Sequence, residues 1–227
     1  MSIFFKMDQN TKKQIVAESV LDYIDNGEIL GIGSGSTVNI LIGLLPKVKN
    51  KIQNVVSSSV NSTKLLEANG FEVQELNSIG RLTKYIDGAD EVNKYLQMIK
   101  GGGGALTREK ILAHNSDKFI CIVDESKKVE ILGKFPLPVE VIPLSRSSVA
   151  REFIKIGGRP VLRQEFTTDN GNIILDVHDL NISEPLNLEK TLNNIPGIVT
   201  NGLFAINHAH MLLCANDNEI EVSEPIV

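Results

Sequence analysis

The chain has 227 residues, of which 42% are hydrophobic and 22% charged, which is the balance of an ordinary globular protein with one large or two smaller domains. Its net charge of −5 and lack of a basic stripe argue against a nucleic-acid partner. No stretch approaches the roughly 18 apolar residues of a membrane span, and the two distant cysteines give no disulfide framework. We therefore expect a cytoplasmic protein with neither a nucleic-acid nor a membrane partner.

Up to about residue 135, strands and helices alternate along the chain. This order is typical of an α/β protein, and it predicts a Rossmann-like, doubly wound, mostly parallel sheet. The predicted helices are 11–24, 37–45, 60–68 and 106–115, and the predicted strands are 29–32, 55–57, 71–76, 82–86 and 118–123.

From about residue 136 the order becomes β-α-β-β-α-β, which is that of a smaller ferredoxin-like α+β unit. Its predicted strands are 139–142, 161–167, 172–177 and 198–204, and its predicted helices are 147–156 and 188–194. Residues 211–222 read as strand that returns to the first sheet. The predicted domains are therefore a Rossmann-like catalytic domain at 1–135 plus 205–227 and an inserted α+β domain at 136–204.

A glycine-rich turn follows the first strand, with the sequence Gly31-Ile32-Gly33-Ser34-Gly35-Ser36-Thr37. Glycines allow a ligand to approach the backbone, and the helix that follows offers free N–H groups to an anion. Ser36 replaces the third glycine of a dinucleotide fingerprint, and the lysine of a P-loop is missing. The turn therefore favours a phosphate ligand, although an ordinary βα turn is the alternative.

Three carboxylates, Asp87, Asp90 and Glu91, lie close together around Gly88. Clustering separates the pKa values of carboxyl groups, which suits one group to acid and another to base catalysis. A solvated turn is the alternative, and a metal site is disfavoured because no His or Cys accompanies the cluster.

Four consecutive glycines, Gly101–Gly104, follow Lys100 and lead into the helix that carries Glu109. Successive glycine N–H groups can form a nest that holds an oxyanion, and Lys100 adds a positive charge at its edge. Taken alone, Glu109 would be interpreted as a surface residue paired with a Lys or Arg, and only its combination with the other motifs favours a catalytic role.

In order and spacing, segments 31–37, 87–91 and 100–110 resemble those of type A ribose-5-phosphate isomerases, and the resemblance extends from roughly residue 13 to 204. Ser34 stands where that family is expected to have Thr, and Gly104 where it has Ala. The resemblance implies interconversion of D-ribose 5-phosphate and D-ribulose 5-phosphate with no metal and no organic cofactor. It also implies a homodimer or a dimer of dimers.

The resemblance further implies which residues act. Glu109 matches the proton acceptor, and the catalytic set is completed by Asp87, Asp90 and Lys100. Lys13 matches a basic residue near the phosphate. The remaining residues expected to bind the small sugar phosphate are Ser34, Gly35, Ser36, Thr37, Gly88, Ala89, Gly101, Gly102, Gly103 and Lys127, together with Asp87, Asp90 and Lys100 themselves.

Aldose–ketose isomerisation through a cis-enediolate needs three kinds of group. Asp87, with Asp90 as its neighbour, is the candidate acid and base for opening the furanose ring. Glu109 is the candidate base that moves the carbon-bound proton. Lys100 and the N–H groups of Gly101–Gly103 are the candidates that stabilise the oxyanion.

Other functions fit the sequence less well. A non-catalytic sugar-phosphate sensor would keep the phosphate turn and lose the catalytic groups, all of which are present here. The residue match also disfavours an amino-sugar-phosphate deaminase or a CoA transferase, and the glycine spacing disfavours a nicotinamide dehydrogenase. His208 and His210 could bind a metal on one strand face, but no third ligand is evident.

Overall fold

A computed structural model describes residues 7–225 of the chain. The chain divides into two compact units. The first contains the residues up to Gly88, Asn115–Lys127 and the residues from Ala209 on, and the second contains Ala89–His114 and Lys128–His208. The second unit contains more of the chain than the predicted insertion at 136–204. It also includes residues 89–114, 128–135 and 205–208. The boundaries of independently folding domains thus stay a prediction.

The described α-helices are α1 (Gln9–Ser19), α2 (Ser36–Leu44), α3 (Val60–Ala68), α4 (Leu76–Ile79), α5 (Leu106–His114), α6 (Arg146–Lys155) and α7 (Pro185–Leu192). The described strands are β1 (Glu28–Ile32), β2 (Ile52–Ser57), β3 (Leu82–Asp87), β4 (Glu91–Val92), β5 (Met98–Ile99), β6 (Ser116–Asp124), β7 (Leu137–Val141), β8 (Arg159–Leu162), β9 (Ile173–His178), β10 (Ile198–Asn201), β11 (Leu203–Phe204), β12 (Met211–Ala215) and β13 (Ile220–Ser223). Short 3₁₀ turns cover Val20–Tyr23, Leu45–Lys51, Glu125–Lys127 and Pro143–Ser145. In the part of the chain that the structure describes, every helix is too short or too polar to cross a membrane.

The first unit is built on a six-stranded sheet in the order β13-β12-β6-β3-β1-β2. Every neighbouring pair is parallel except the hairpin of β12 and β13. The predicted mostly parallel sheet and the predicted return of residues 211–222 are both confirmed. Parallel strands separated by helices bring their carboxyl ends to one edge, where ligands bind in open α/β sheets.

Helix α1 shows how the apolar pattern builds the core of this unit. The side chain of Asp8 caps the helix by accepting from the N–H groups of Asn10 and Thr11. Spacing of three or four residues puts Val16 and Val20 on one face. Both are fully buried in a cluster formed by apolar residues of β1, α2, α3 and β6. The packed helices leave the carboxyl ends of the strands free to carry polar residues.

The second unit contains a four-stranded antiparallel sheet in the order β10-β7-β9-β8. With α6 after β7 and α7 after β9, this is the predicted ferredoxin-like arrangement. Val149 and Phe153 of α6 and Leu192 of α7 are fully buried in one core with residues of β7 and β9. The same unit holds a small sheet, β11-β5-β4, and helix α5, which packs against β7 and β10.

The predicted single strand over 198–204 is wrong, because the chain changes sheets at Gly202. The Gly202 N–H donates to the Pro138 carbonyl at 2.7 Å, and the Gly202 carbonyl accepts from the Lys100 N–H at 2.9 Å. A Cβ at Gly202 would lie 2.3 Å from the Lys100 carbonyl oxygen, so only glycine fits. β10 therefore ends in one sheet, and β11 starts in the other.

Two other strand predictions are also corrected. Segment 71–76 makes a single bridge, from Val73 to Val55 at the sheet edge, and then turns into α4. The strand predicted over 161–167 ends at Leu162. Beyond it Glu165 has a φ of 51°, which breaks an extended conformation.

Candidate active site

The glycine-rich turn after β1 is organised around the carboxylate of Asp87, which ends β3. Its Oδ1 atom accepts from the N–H groups of Ser34 (3.0 Å) and Gly88 (2.7 Å). Its Oδ2 atom accepts from the hydroxyl of Tyr85. A Cβ at Gly33 would lie 1.9 Å from the Asp87 Cγ atom, so this position requires glycine. The predicted residues Ser34, Asp87 and Gly88 therefore lie together, with Asp87 fully buried.

Helix α2 begins directly after this turn. Gly35, at its N-cap, has a φ of 98°, and none of the described side chains caps the helix. Gly35 and Ser36 are exposed, while Ser34 and Thr37 are half-buried. Uncapped N–H groups and the positive end of the helix dipole attract an anion. Binding of a phosphate at this turn stays a prediction.

A cavity of about 330 Å³ lies beside the start of α1. Its basic group is Lys12, whose Nζ atom lies 2.5 Å from Glu125 Oε1 and 2.6 Å from Asp217 Oδ1. Lys12 is buried, whereas Lys13, the residue named from the sequence, is half-buried. The residues that line the cavity are Met7, Gln9, Lys12, Asp124, Glu125 and Ser126.

The burial of Lys12 was not predicted from the sequence, although the spacing of this residue carried a signal. Lys12 stands four residues before Val16 and eight before Val20, so the three share the inward face of α1. A lysine on such a face is buried only with partners for its charge. Here Glu125 and Asp217 are those partners.

The carboxylate of Asp124 ends β6 at the same cavity. Burial raises the pKa of this carboxyl group, but hydrogen bonds from Ser126 and Gln9, and the charge of Lys127, outweigh that effect. The pKa of Asp124 therefore lies below its ordinary value. Lys127, a predicted substrate-binding residue, is half-buried at the end of the 3₁₀ turn that follows.

In the second unit, Asp90 is joined to the four-glycine loop. Its Oδ2 atom accepts from the N–H of Gly102 at 2.7 Å, and a Cβ at Gly102 would lie 2.6 Å from its Oδ1 atom. The loop turns through positive φ angles at Gly101 (103°) and Gly104 (86°), and the Gly104 N–H donates to the Gly101 carbonyl at 2.9 Å. Asp90 and Ala89 are partly exposed, and Gly103 is exposed.

Glu91, the third carboxylate of the acidic turn, has a different partner. It is buried, and its oxygens accept from the N–H groups of Gly133 (2.7 Å) and Phe135 (2.6 Å). Glu91 thus fixes a neighbouring loop.

Lys100 and Glu109 form an ion pair in the second unit. The Lys100 Nζ atom lies 3.2 Å from Glu109 Oε2, and the two side chains are 3% and 4% exposed. The Lys100 ammonium also lies 5.4 Å from the centre of the Phe204 ring. Buried charges are maintained only when they are paired, and this pair places a base and a cation at hydrogen-bonding distance. The surface alternative for Glu109 is therefore wrong.

The residues on either side of Glu109 in α5, Arg108 and Lys110, each have polar partners of their own. Arg108 donates to the Asn170 side chain at 2.9 Å and to the Asp169 carbonyl at 2.8 Å. Lys110 donates to Glu189 at 2.6 Å. Burial lowers the pKa of Lys110, and the charge of Glu189 opposes that effect. Contacts on both sides of Glu109 fix the rotation of the helix that carries it.

Within residues 7–225, no group of three or more His, Cys, Asp or Glu residues is placed to hold a metal ion. His210, half of the His-x-His pair, accepts a hydrogen bond at its Nδ1 atom from the Phe119 N–H at 3.0 Å.

Comparison with known proteins gives one consistent answer. The family model of ribose 5-phosphate isomerase A (phosphoriboisomerase A) matches residues 54–219. The chain is similar to the ribose 5-phosphate isomerase A of Neisseria gonorrhoeae, with 47% identity over 98% of this chain and 100% of that one, and a TM-score of 0.96. It is also similar to the enzyme of Methanocaldococcus jannaschii, with 34% identity, coverage of 95% and 99%, and a TM-score of 0.89.

A third solved structure is of a D-ribose-5-phosphate isomerase in complex with phospho-erythronic acid. It shares 34% identity over 96% of this chain and 100% of that one, with a TM-score of 0.92. The family match covers most of the chain, and the three structures are matched from end to end. This chain belongs to the ribose 5-phosphate isomerase A family.

Proposed function

We propose that this chain interconverts D-ribose 5-phosphate and D-ribulose 5-phosphate through a cis-enediolate, as a step of the non-oxidative pentose phosphate pathway. Membership of the family supports the substrate and the reaction. The observation that carries the chemistry is the buried pair of Glu109 and Lys100 next to a loop of four glycines. It offers a base, a cation and backbone donors without a metal.

Glu109 is the base that moves the proton between C2 and C1. A carboxylate can take the proton from one carbon and return it to the other on the same face of the planar intermediate. General base catalysis of this kind typically contributes about 10²–10⁴-fold. The contacts of Arg108 and Lys110 on either side of Glu109 keep its carboxylate in a fixed position.

Lys100 and the glycine loop stabilise the negative charge that develops on the oxygens of the enediolate. An ammonium and backbone N–H groups held in advance need no rearrangement during the reaction, and each donor is typically worth about 3–4 kcal/mol. The Gly102 N–H is already bound to Asp90. We therefore assign the stabilising role to Lys100 and the N–H groups of Gly101 and Gly103 first, and to Gly102 when Asp90 releases it.

We assign the opening of the furanose ring to Asp87 as the acid and base, with Asp90 in a supporting role. Asp87 is fully buried and bound to the glycine-rich turn, whereas Asp90 is partly exposed. This difference in burial suits the two carboxylates to different roles in the proton transfer. The phosphate is bound at Ser34–Thr37, and Lys13 and Lys127 contribute positive charge to the same substrate.

We also propose a homodimer or dimer of dimers in the cytoplasm. The second unit exposes several apolar side chains in the single chain, among them Leu144 and Ile154. Exposed apolar side chains of this kind support an interface with another copy of the chain. The two cysteines, Cys121 and Cys214, are buried and form no disulfide with each other, which is consistent with a reducing compartment.

The test is a coupled assay for the ketopentose phosphate formed from ribose 5-phosphate, with a chelator present throughout. We expect turnover at the same rate with and without the chelator. Binding of ribose 5-phosphate without turnover would identify a sensor instead. Activity lost to the chelator and restored by a divalent ion would contradict the metal-free mechanism.

A further inference from the structure

Arg163, the first residue after β8, reaches the four-glycine loop from a distant part of the sequence. Its Nη1 atom donates to the carbonyl oxygens of Gly101 at 3.2 Å and Gly102 at 3.1 Å. A single guanidinium nitrogen thus binds two successive peptide groups of the loop that carries the candidate oxyanion donors. No sequence motif pointed to this residue.

The guanidinium is itself held in place by Asp176 of β9. The Nε and Nη2 atoms of Arg163 donate to the two carboxylate oxygens of Asp176 at 2.9 and 2.5 Å. The two side chains are only 17% and 19% exposed. A bidentate pair of this kind fixes the plane of the guanidinium as well as its position.

The same hairpin also holds the far end of the loop. The Phe166 ring lies 5.3 Å from the Arg163 guanidinium carbon. A Cβ at Gly104 would lie 2.1 Å from the Phe166 Cζ atom, so the ring occupies the space of a side chain there. Arg163 and Phe166 thus contact the loop at Gly101, Gly102 and Gly104.

These contacts decide where the N–H groups of the loop point. In a trans peptide the C=O and N–H bonds point in opposite directions. The carbonyls of Gly101 and Gly102 face Arg163, so the N–H groups of Gly102 and Gly103 face away from it. The Gly102 N–H does meet the Asp90 carboxylate on that opposite side. Glycine loses more conformational freedom on folding than any other residue, so a run of four needs such external contacts to stay ordered.

We infer that Arg163, oriented by Asp176, is a positioning residue for isomerisation. It holds the N–H group of Gly103 toward the developing oxyanion and the N–H group of Gly102 toward Asp90, so that Gly102 becomes a further donor when Asp90 releases it. The inference rests on the proposed function for the role of the loop. Arg163 itself contacts neither the substrate nor the reacting atoms in this assignment.

The hairpin provides a matched control. Arg159 on β8 pairs with Asp179 at 2.9 Å, and both side chains are more than half exposed. We compare Arg163→Met with Arg159→Met in kcat, KM and thermal unfolding. For Arg163→Met we expect a fall in kcat of about 10²-fold, the loss typical of a 1 Å misplacement. KM should change little because the phosphate contacts remain, and Arg159→Met should behave as wild type.

Two further readouts separate positioning from simple loss of structure. Methylguanidinium added to Arg163→Ala should restore part of kcat and should leave Arg159→Ala unchanged. The affinity for phospho-erythronic acid, whose carboxylate resembles the charged enediolate, should fall in Arg163→Met by more than the affinity for inorganic phosphate. Wild-type kcat in Arg163→Met, or an equal loss in both Met variants, would overturn the inference.

Amide hydrogen exchange tests the loop independently of turnover. Exchange at Gly102 and Gly103 should be faster in Arg163→Met than in wild type or Arg159→Met. Unchanged exchange there would refute the positioning role even in an active enzyme. If wild type itself did not form ketopentose phosphate, the proposed function would fail, while the exchange result would still decide whether Arg163 orders the loop.

Discussion

The ammonium of Lys100 lies 3.2 Å from the carboxylate of Glu109, and neither side chain is more than 4% exposed. The four-glycine loop and the first turn of α5 separate these residues in the sequence. Removing one partner of a buried ion pair typically costs about 3–5 kcal/mol, because the other charge is left uncompensated. The pair is therefore expected to matter for both stability and catalysis, and the two effects can be separated.

Replacement of Glu109 by Gln tests its role as the base. Glu109→Gln keeps the size of the side chain but removes its basicity, so kcat should fall at least about 10³-fold, toward the upper end of the general-base range. NMR should show that exchange of the C2 proton with solvent deuterium is lost in parallel, while sugar-phosphate binding persists. Glu152→Gln, which breaks an exposed ion pair with Lys155, is the control. A Glu109→Gln enzyme that still exchanges C2 at a near-normal rate would exclude Glu109.

Lys100 and Thr37 should differ in which kinetic constant they affect. Lys100→Ala should lower kcat strongly, because Lys100 faces charge that develops in the transition state. Thr37→Ala should mainly raise KM, because the charge of the phosphate is the same throughout the reaction. Steady-state kinetics measure both, and the reverse pattern would exchange the two roles.

A double-mutant cycle separates stability from catalysis at the same pair. Lys100→Met and Glu109→Gln should each lower the free energy of unfolding, and the double variant should lose less than the sum of the two. Its activity should remain as low as that of the worse single variant. Additive losses of stability, measured by urea unfolding, would show that the two groups do not interact in solution.

Gly33 and Gly43 offer a comparison of two Gly→Ala changes in the first unit. A Cβ at Gly33 would collide with Asp87, whereas a Cβ at Gly43 meets no atom within 4 Å. Gly33→Ala should therefore displace the Asp87 carboxylate and lower kcat/KM about 10²-fold or more. Gly43→Ala, inside α2, should keep full activity and gain up to about 1 kcal/mol of stability. Equal activity of the two variants would show that the turn tolerates the displacement.

The lowered pKa of Asp124 predicts how the stability of the fold depends on pH. Its folded-state pKa is lowered, so ionised Asp124 stabilises the fold above the unfolded-state pKa of about 3.9, and this contribution is lost as pH falls through the folded-state value. Asp124→Asn should thus be less stable than wild type at pH 7, with the difference shrinking below about pH 4. Urea unfolding across this range measures it. A difference that stays constant with pH would mean that ionisation of Asp124 is not its cause.

The sequence predicted those parts of the site that local rules determine. The turn at Gly31–Thr37 and the loop at Gly101–Gly104 stand out because glycines and hydroxyls follow strands, and the helix at 106–115 follows from its apolar spacing. The parallel sheet followed from the alternation of strands and helices, and the α+β unit from its order of elements. In each case the signal lies within a few neighbouring residues.

Contacts between distant segments could not be read in the same way. Arg163 contacts Gly101 and Gly102 from a hairpin far along the chain. No pattern in residues 159–163 indicates that one of them would bind the glycine loop. The change of sheet at Gly202 was missed because a single glycine inside a run of residues with high strand propensity need not end the strand. Only the approach of the Lys100 backbone explains the break. The burial of Lys12 was not predicted, because the adjacent residues Lys12 and Lys13 are distinguished only by the face of the helix that packs.

The position of Lys100 also depends on main-chain bonds, which many substitutions leave intact. Its N–H donates to the Gly202 carbonyl, and the Gly202 N–H donates to Pro138. Peptide groups are the same whatever side chains surround them, so relatives that have diverged widely can keep this lysine in register as long as the glycine remains. By the same reasoning, a one-residue insertion between β10 and β11 should shift the Lys100 ammonium more than any nearby side-chain exchange, although it would remove no functional group.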